Sequence, residues 1–160
     1  MKTLSLLVII CIPLLTGCQD QKDSKTEPVS FKAALNGLDN AWATVYRNSN
    51  VEAALSVERS YSVLIPPDNI VQEVAGGDLV RFARTSVGRS FVLSHIIAPQ
   101  VDINQTSIYR TLNGKLVRLE ENQSPCRVTF NGIELQFCED EPSGDIEGGS
   151  IFRVKNLLFR

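Results

Sequence analysis

Two Asn-Gly pairs restrict the fold of this 160-residue chain more than any other feature of its sequence. Each pair separates two segments with the composition of β-strands: Asn113-Gly114 lies between 108–112 and 115–119, and Asn131-Gly132 lies between 126–130 and 133–138. Such a pair is the strongest short-range signal of a hairpin, because both residues tolerate positive φ. The second half of the chain is therefore predicted to be mainly antiparallel β-structure, with a last strand over 151–158.

The residues before position 100 have the spacing of short amphipathic helices. Ser30 is predicted to cap a first helix, because apolar side chains follow it at intervals of three and four. Further helical pieces are predicted at 41–46, at 69–74 and at 78–84, and two more are predicted to follow the caps Asn50 and Ser90. Residues 61–65 form the first clear strand, which Pro66-Pro67 ends. Helices that precede strands in this way predict an α+β fold.

The first seventeen residues have the pattern of a signal peptide. Lys2 precedes an apolar run from Leu4 to Leu15. This run is too short to cross a bilayer core of about 30 Å, and its length is that of a signal-peptide core. Leu15-Thr16-Gly17-Cys18 follows and resembles the bacterial lipobox, which implies cleavage before Cys18 and lipid on its thiol. An ordinary signal peptide with a chance cysteine is the alternative.

The lipobox divides the chain into three parts and predicts a location. Residues 1–17 are the signal peptide, 18–29 are the lipidated cysteine with a polar tether, and 30–160 are the domain. Two or more acyl chains suffice for stable anchoring, so we expect a membrane-anchored protein of the bacterial cell envelope. Gln19 favours the outer membrane if the source is Gram-negative, because Asp at this position resembles an inner-membrane retention signal.

Cysteine usage agrees with export. Of the four cysteines, Cys11 leaves with the signal peptide and Cys18 takes lipid, so Cys126 and Cys138 remain as an even pair. A disulfide between them is the default in an oxidising envelope. A two-residue loop would pair Phe130 with Ile133 and place Cys126 opposite Phe137, so the disulfide requires a one-residue bulge or a shifted loop.

Composition argues against several classes of function. The formal net charge of −2 argues against nucleic-acid binding. One histidine and no nucleophile motif argue against an enzyme, and no cofactor or metal is predicted. The acidic residues between 139 and 147 lack the fixed intervals of a calcium loop, so a solvated loop is favoured over a cation site.

Four motifs in order resemble those of the fasciclin-type domain family. They are a strand motif in Ser62–Asp68, a Tyr-His-like stretch in Val92–Pro99, Thr111-Leu112-Asn113-Gly114, and a closing motif from Asp145 to Leu158. This resemblance implies a wedge-shaped β-sandwich with several short helices packed along one edge, and an adhesion-type role. Ser94 replaces the family's Tyr, and Gly148, Phe152 and Lys155 replace its closing Asn, His and Asp.

The sequence therefore predicts an envelope-anchored module that binds an envelope or extracellular protein or a glycan. Pro66, Asp68 and His95 are the candidate binding residues. Each has a structural alternative: Pro66 ends a strand, Asp68 caps the next helix, and His95 is a buried histidine hydrogen-bonded to a backbone carbonyl. The alternative function is an envelope carrier of a small apolar molecule or lipid. A large apolar pocket favours the carrier, and a flat exposed apolar patch favours the binding module.

Overall fold

The structure is a computed structural model that describes residues 29–56, 59–121, 128–135 and 146–159. The predicted signal peptide and Cys18 lie outside the described residues. So do Cys126 and Cys138 with their predicted disulfide and bulge, and the acidic residues 139–145. Val29, which was assigned to the tether, is the first residue of a short strand.

Two α-helices and a 3₁₀ turn follow that strand. The elements are β1 (Val29–Ser30), α1 (Phe31–Gly37), α2 (Ala41–Asn48) and a 3₁₀ helix (Val51–Ala54). The Ser30 hydroxyl accepts a hydrogen bond from the Ala33 N–H at 3.3 Å, which confirms the predicted cap. The third piece also lies where predicted, but its predicted cap is wrong. Asn50 has a φ of 56° and its side chain makes no capping bond.

The first long strand leads into three helices. These are β2 (Tyr61–Ile65), α3 (Asp68–Val74), α4 (Leu79–Ala83) and α5 (Ser86–Leu93). The prediction that Ser90 caps the last helix is wrong. Helix α5 begins one turn earlier, because Thr85 has an extended backbone and its hydroxyl accepts from the Gly88 N–H at 3.0 Å. This earlier start turns Gly88 and Val92 into the core.

The remaining described elements are strands. They are β3 (Ile96–Ile97), β4 (Ser107–Arg110), β5 (Leu116–Glu121), β6 (Val128–Phe130), β7 (Ile133–Glu134), β8 (Ile146–Glu147) and β9 (Gly149–Arg153). The last strand begins two residues earlier than predicted and ends at Arg153 rather than at Leu158. Beyond it, Val154 forms only an isolated bridge to Leu135.

The two Asn-Gly pairs both form hairpins, with different loops. Asn131 and Gly132 have φ of 53° and 75°, and Phe130 pairs with Ile133 as predicted. At the first pair only Gly114 has a positive φ, of 87°. There the N–H of Thr111 donates to the Lys115 carbonyl at 2.9 Å, so the loop is three residues long, 112–114.

The mixed α+β prediction is confirmed. The described strands form three sheets, ordered β1-β8, β3-β2-β9 and β4-β5-β6-β7, with β2 and β9 parallel. Alternate residues of β2 pack on opposite sides, because Val63 joins the buried cluster of the helices and Leu64 joins that of the four-stranded sheet. Sheet β3-β2-β9 therefore lies between the helices and the four-stranded sheet. Phe31 and Trp42 are in the helical core.

Candidate functional site

His95 lies between α5 and β3 with only 1% of its surface exposed. Its Nδ1–H donates to the carbonyl of Phe91, one turn earlier, at 2.8 Å. The predicted buried histidine with a backbone carbonyl partner is therefore confirmed. Ser94 Oγ lies 3.2 Å from the same nitrogen and donates to the same carbonyl at 2.7 Å. In the described part of the chain, Nε2 has no hydrogen-bond partner.

The surroundings of His95 favour the neutral imidazole. Burial lowers its pKa from 6.5 to about 4; the Phe91 carbonyl opposes this effect, and the positive charge of Lys115 adds to it. Its hydrogen-bond partners among the described residues, Phe91 and Ser94, include no carboxylate. A general base oriented by an acid, as in a Ser-His-Asp triad, is therefore not assembled from these partners.

Pro66 and Asp68 stand close together in the sequence but in different environments. Pro66 is buried at the end of β2, whereas Asp68 is exposed. The predicted capping of α3 by Asp68 is wrong, because Pro67 occupies the cap position. The Asp68 carboxylate instead accepts from the N–H of Ala41, the first residue of α2, at 2.9 Å. This bond ties the start of α3 to the start of α2.

The three candidate binding residues therefore do not form one accessible surface. Pro66 and His95 are buried, so Asp68 is the only one of the three that is exposed. Asp68 already has a backbone partner in Ala41. The structural alternative describes Pro66 better than a binding role does.

An open cleft of about 410 Å³ lies beside His95. Its apolar walls include Phe82, Phe91, Val74 and Val87, and the last two side chains are 40% and 63% exposed. The rings of Phe82 and Phe91 meet edge to face at 5.7 Å. The polar part of the lining contains Ser86, Ser90, Ser94, His95 and Lys115. The cleft therefore combines an apolar surface with one cationic side chain.

The outer face of hairpin β4–β5 is a second exposed surface. Ile108 pairs with Arg118 and Arg110 pairs with Leu116, so these four side chains lie on one side of the sheet. Ile108 is 61% exposed and Leu116 is 55% exposed. Arg118 Nε contacts Glu120 at 3.3 Å, and Arg110 donates to the Gly114 carbonyl at 2.7 Å. We call Ile108, Arg110, Leu116 and Arg118 the hairpin face.

A smaller cavity of about 250 Å³ lies beside the first residues of α1 and β2. Phe31, Leu55 and Tyr61 line it together with Lys32, Arg59 and Glu147. Its described lining contains two basic side chains and one acidic side chain. It serves below as a comparison for the cleft beside His95.

Two searches of the described residues returned nothing. Across 29–56, 59–121, 128–135 and 146–159, no three His, Cys, Asp or Glu side chains are grouped so that they could hold a metal ion. Over the same residues, no helix has the length and hydropathy needed to cross a membrane.

The described residues define an α+β architecture. No protein-family model matches the chain. No curated protein matches it with significance either.

Sequence reasoning missed both exposed surfaces, and only the hairpin face has a local signal in the sequence. In each strand, one apolar residue and one arginine are two positions apart, at 108 and 110 and at 116 and 118. Residues two apart share a face of a strand, so this spacing predicts a mixed outer face. The cleft has no such local signal, because Val74, Val87 and Lys115 come from three separate elements or loops. Only the fold brings them together.

Proposed function

We propose that this chain is a lipid-anchored envelope protein whose domain, residues 30–160, has a fasciclin-like fold and binds a protein or another surface. The placement of the four motifs supports this assignment. Ser62 and Val63 of the first motif pair with Ser150 and Ile151 of the closing motif. Stretches that are distant in the sequence are thus neighbours in one sheet.

The two middle motifs join the same sheet. Ile96 and Ile97 of the Tyr-His-like stretch pair with β2. The Thr-Leu-Asn-Gly motif follows, because the N–H of Leu112 donates to the Ile96 carbonyl at 2.8 Å. A structural role for all four motifs explains why they recur together, and it supports the wedge-shaped sandwich with helices at one edge.

The hairpin face is the observation that carries the binding role. Ile108 and Leu116 are diagonal neighbours, and an arginine stands beside each of them. Exposed apolar side chains are ordinary when they are scattered, but an adjacent pair flanked by arginines has the composition of a protein interface. A flat exposed apolar patch was the feature expected of a binding module rather than of a carrier.

Replacing the apolar pair is expected to abolish this binding. The double variant Ile108→Ser with Leu116→Ser should capture at most about one fifth of the amount of each envelope component that the unaltered protein captures. The reason is that the apolar contact of the hairpin face is lost. The measurement is quantitative mass spectrometry of material captured from envelope extracts. Val80→Ser is the matched control, since Val80 is 40% exposed and lies on α4.

Both variants should keep the unaltered thermal midpoint, because each replaced side chain is exposed. A set of captured components that is the same for all three proteins would contradict the binding role of the hairpin face. Loss of the same components in the Val80 control would contradict it too.

Anchoring has its own test at Cys18. Cys18→Ala is expected to leave an unlipidated precursor, because the thiol is the acyl acceptor of a lipobox. Labelled palmitate should enter the unaltered protein and not the variant. A variant that still incorporates palmitate and stays with membranes would contradict the lipoprotein assignment.

A second candidate function is favoured by the cleft beside His95. Its volume of about 410 Å³ is within the range of about 300–1,000 Å³ that small-molecule sites occupy. The protein would then carry a small apolar or lipid molecule in the envelope. The cleft is independent of the hairpin face, so the two functions can be tested separately.

A further inference from the structure

We propose that the cleft beside His95 binds an anionic amphiphile with a single apolar chain, of the class of a medium-chain fatty acid. This inference rests on the second candidate function and names its ligand. It does not depend on the hairpin face, because the residues that line the cleft do not include Ile108 or Leu116.

The apolar walls of the cleft suit an alkyl chain. Phe82 and Phe91 are partly buried and form the inner wall with their edge-to-face rings. Val74 and Val87 add two of the most exposed apolar side chains among the described residues, at 40% and 63%. A chain that covers them removes apolar surface from water, which contributes roughly 25 cal/mol for each Å² buried.

The charge of the cleft selects an anionic head group. Lys115 is the only charged side chain of the described lining, because His95 is neutral, and it is exposed at the end of the hairpin loop. Its Nζ lies 4.5 Å from the ring centre of Phe159, so the ammonium group is held over the cleft wall. No Asp or Glu is among the described residues that line the cleft. A carboxylate therefore meets an ammonium group without an opposing acidic side chain.

An unsatisfied polar atom points independently to a ligand. His95 lines the cleft, and its buried Nε2 has no hydrogen-bond partner among the described residues. Since Nδ1–H is used by Phe91, Nε2 carries the lone pair of a neutral ring and can accept a hydrogen bond. Buried acceptors are rarely left unpaired, because their desolvation is not offset. An ionised carboxylate has no donor of its own, so a water that donates one proton to Nε2 and the other to the carboxylate would supply the missing hydrogen bond.

The test compares three ten-carbon probes on the full-length chain with Cys18→Ala, so that no attached acyl group competes. Decanoate, decanol and decyltrimethylammonium share the tail and differ in charge. Amide shifts in ¹⁵N NMR spectra locate each probe and yield its Kd. Decanoate is expected to bind at least five-fold more tightly than decyltrimethylammonium, with shifts at α5, the 112–114 loop and Lys115. Equal affinity for the two charged probes would overturn the proposal.

Matched variants distinguish binding of decanoate in the cleft from binding in the smaller cavity. Lys115→Gln should weaken decanoate about three-fold and remove the preference over decanol, and Val74→Ser should also weaken it about three-fold. Val80→Ser is the control for Val74, because both valines are 40% exposed and Val80 does not line the cleft. Lys32→Gln is the control for Lys115, because Lys32 lines the smaller cavity. Loss of binding in Lys32→Gln alone would overturn the proposal.

The experiment also distinguishes this inference from the binding role of the hairpin face. The Ile108→Ser and Leu116→Ser double variant should bind decanoate with unchanged affinity. If no probe shifts the cleft residues, the carrier function and its ligand fail together, whereas the capture experiment on the hairpin face is unaffected. If the double variant loses decanoate binding, the ligand is on the hairpin face and the cleft assignment is wrong.

Discussion

Replacing Gly88 by Ala is expected to lower the free energy of unfolding by about 3 kcal/mol, near the upper end of typical overpacking effects. Gly88 is buried where α5 contacts α4. A Cβ at this position would overlap the carbonyl oxygen of Phe82 and lie 2.9 Å from the Cα of Ala83. These are backbone atoms, so the clash is relieved only if one helix moves.

The Phe82 carbonyl has little freedom to move away. It accepts from the backbone N–H of Thr85 at 3.0 Å and from the Thr85 hydroxyl at 2.6 Å. Thr85 in turn caps α5 through the Gly88 N–H. A shift of α5 would also displace Phe91 and His95, so the Gly88 variant should bind decanoate less tightly, if the cleft is its site.

Gly37→Ala is the matched control for this prediction. Gly37 is also helical, as the last residue of α1, and a Cβ at this position would have no neighbour within 4 Å. Since Ala is preferred over Gly in helices by up to about 1 kcal/mol, this variant should be as stable as the unaltered protein or slightly more so. Urea unfolding followed by circular dichroism measures both. Surface substitutions usually change the free energy of unfolding by no more than about 0.5 kcal/mol. A change this small in the Gly88 variant would contradict the packing argument.

Acidification from pH 7 to pH 4 is expected to lower the free energy of unfolding by about 3 kcal/mol through His95 alone. Burial holds the pKa of the folded-state ring at about 4, against 6.5 in the unfolded chain. Below pH 6.5 the unfolded chain binds a proton that the folded protein does not take up. Stability from the neutral ring is therefore complete above pH 6.5 and is lost progressively as the pH falls to 4.

The variant His95→Gln isolates this effect from carboxylates that titrate in the same range. At pH 7 the variant should be less stable for two reasons. Gln does not fully replace the hydrogen bond to the Phe91 carbonyl, and it does not fill the volume of the imidazole ring. The stability difference between the two proteins should shrink by about 3 kcal/mol between pH 7 and pH 4, as the histidine penalty grows. Urea unfolding at a series of pH values gives both curves.

A direct titration keeps this prediction testable if the variant does not fold. His95 is the only histidine, so its ring proton signals are unambiguous in NMR spectra of the unaltered protein. They should stay those of a neutral ring down to about pH 5. A ring that titrates with a pKa of 6 or above would contradict the buried neutral histidine.

Local chemistry explains which elements were predictable. Ser30 begins α1 because its hydroxyl accepts from an N–H three residues ahead, and that bond needs no other part of the molecule. Asn131-Gly132 forms its two-residue loop for a similar reason, since both residues adopt positive φ. The class α+β followed from the order of such local signals.

Competing partners explain where the same reasoning failed. Asp68 has the side chain of a helix cap, yet its carboxylate is taken by the N–H of Ala41, which is 27 positions away. Ser90 also looks like a cap, but Thr85 starts the helix earlier, so Ser90 lies inside α5. At 113–114 the loop is three residues long, because Thr111 bonds to Lys115 through both its backbone and its hydroxyl. In each case the local sequence allows the predicted role, but a hydrogen bond with a different partner determines the observed structure.

The sequence by itself determined the short helices, the strands and the burial of His95 between two apolar runs, because these depend on neighbours along the chain. The tertiary structure alone decided the two candidate surfaces. The hairpin face exists because strand register places Ile108 opposite Arg118 and Leu116 opposite Arg110. The cleft exists because α3, α5 and the hairpin loop converge, which brings Val74, Val87 and Lys115 around one opening. Register and convergence depend on which faces the core buries, and that is set by the packing of the described domain as a whole.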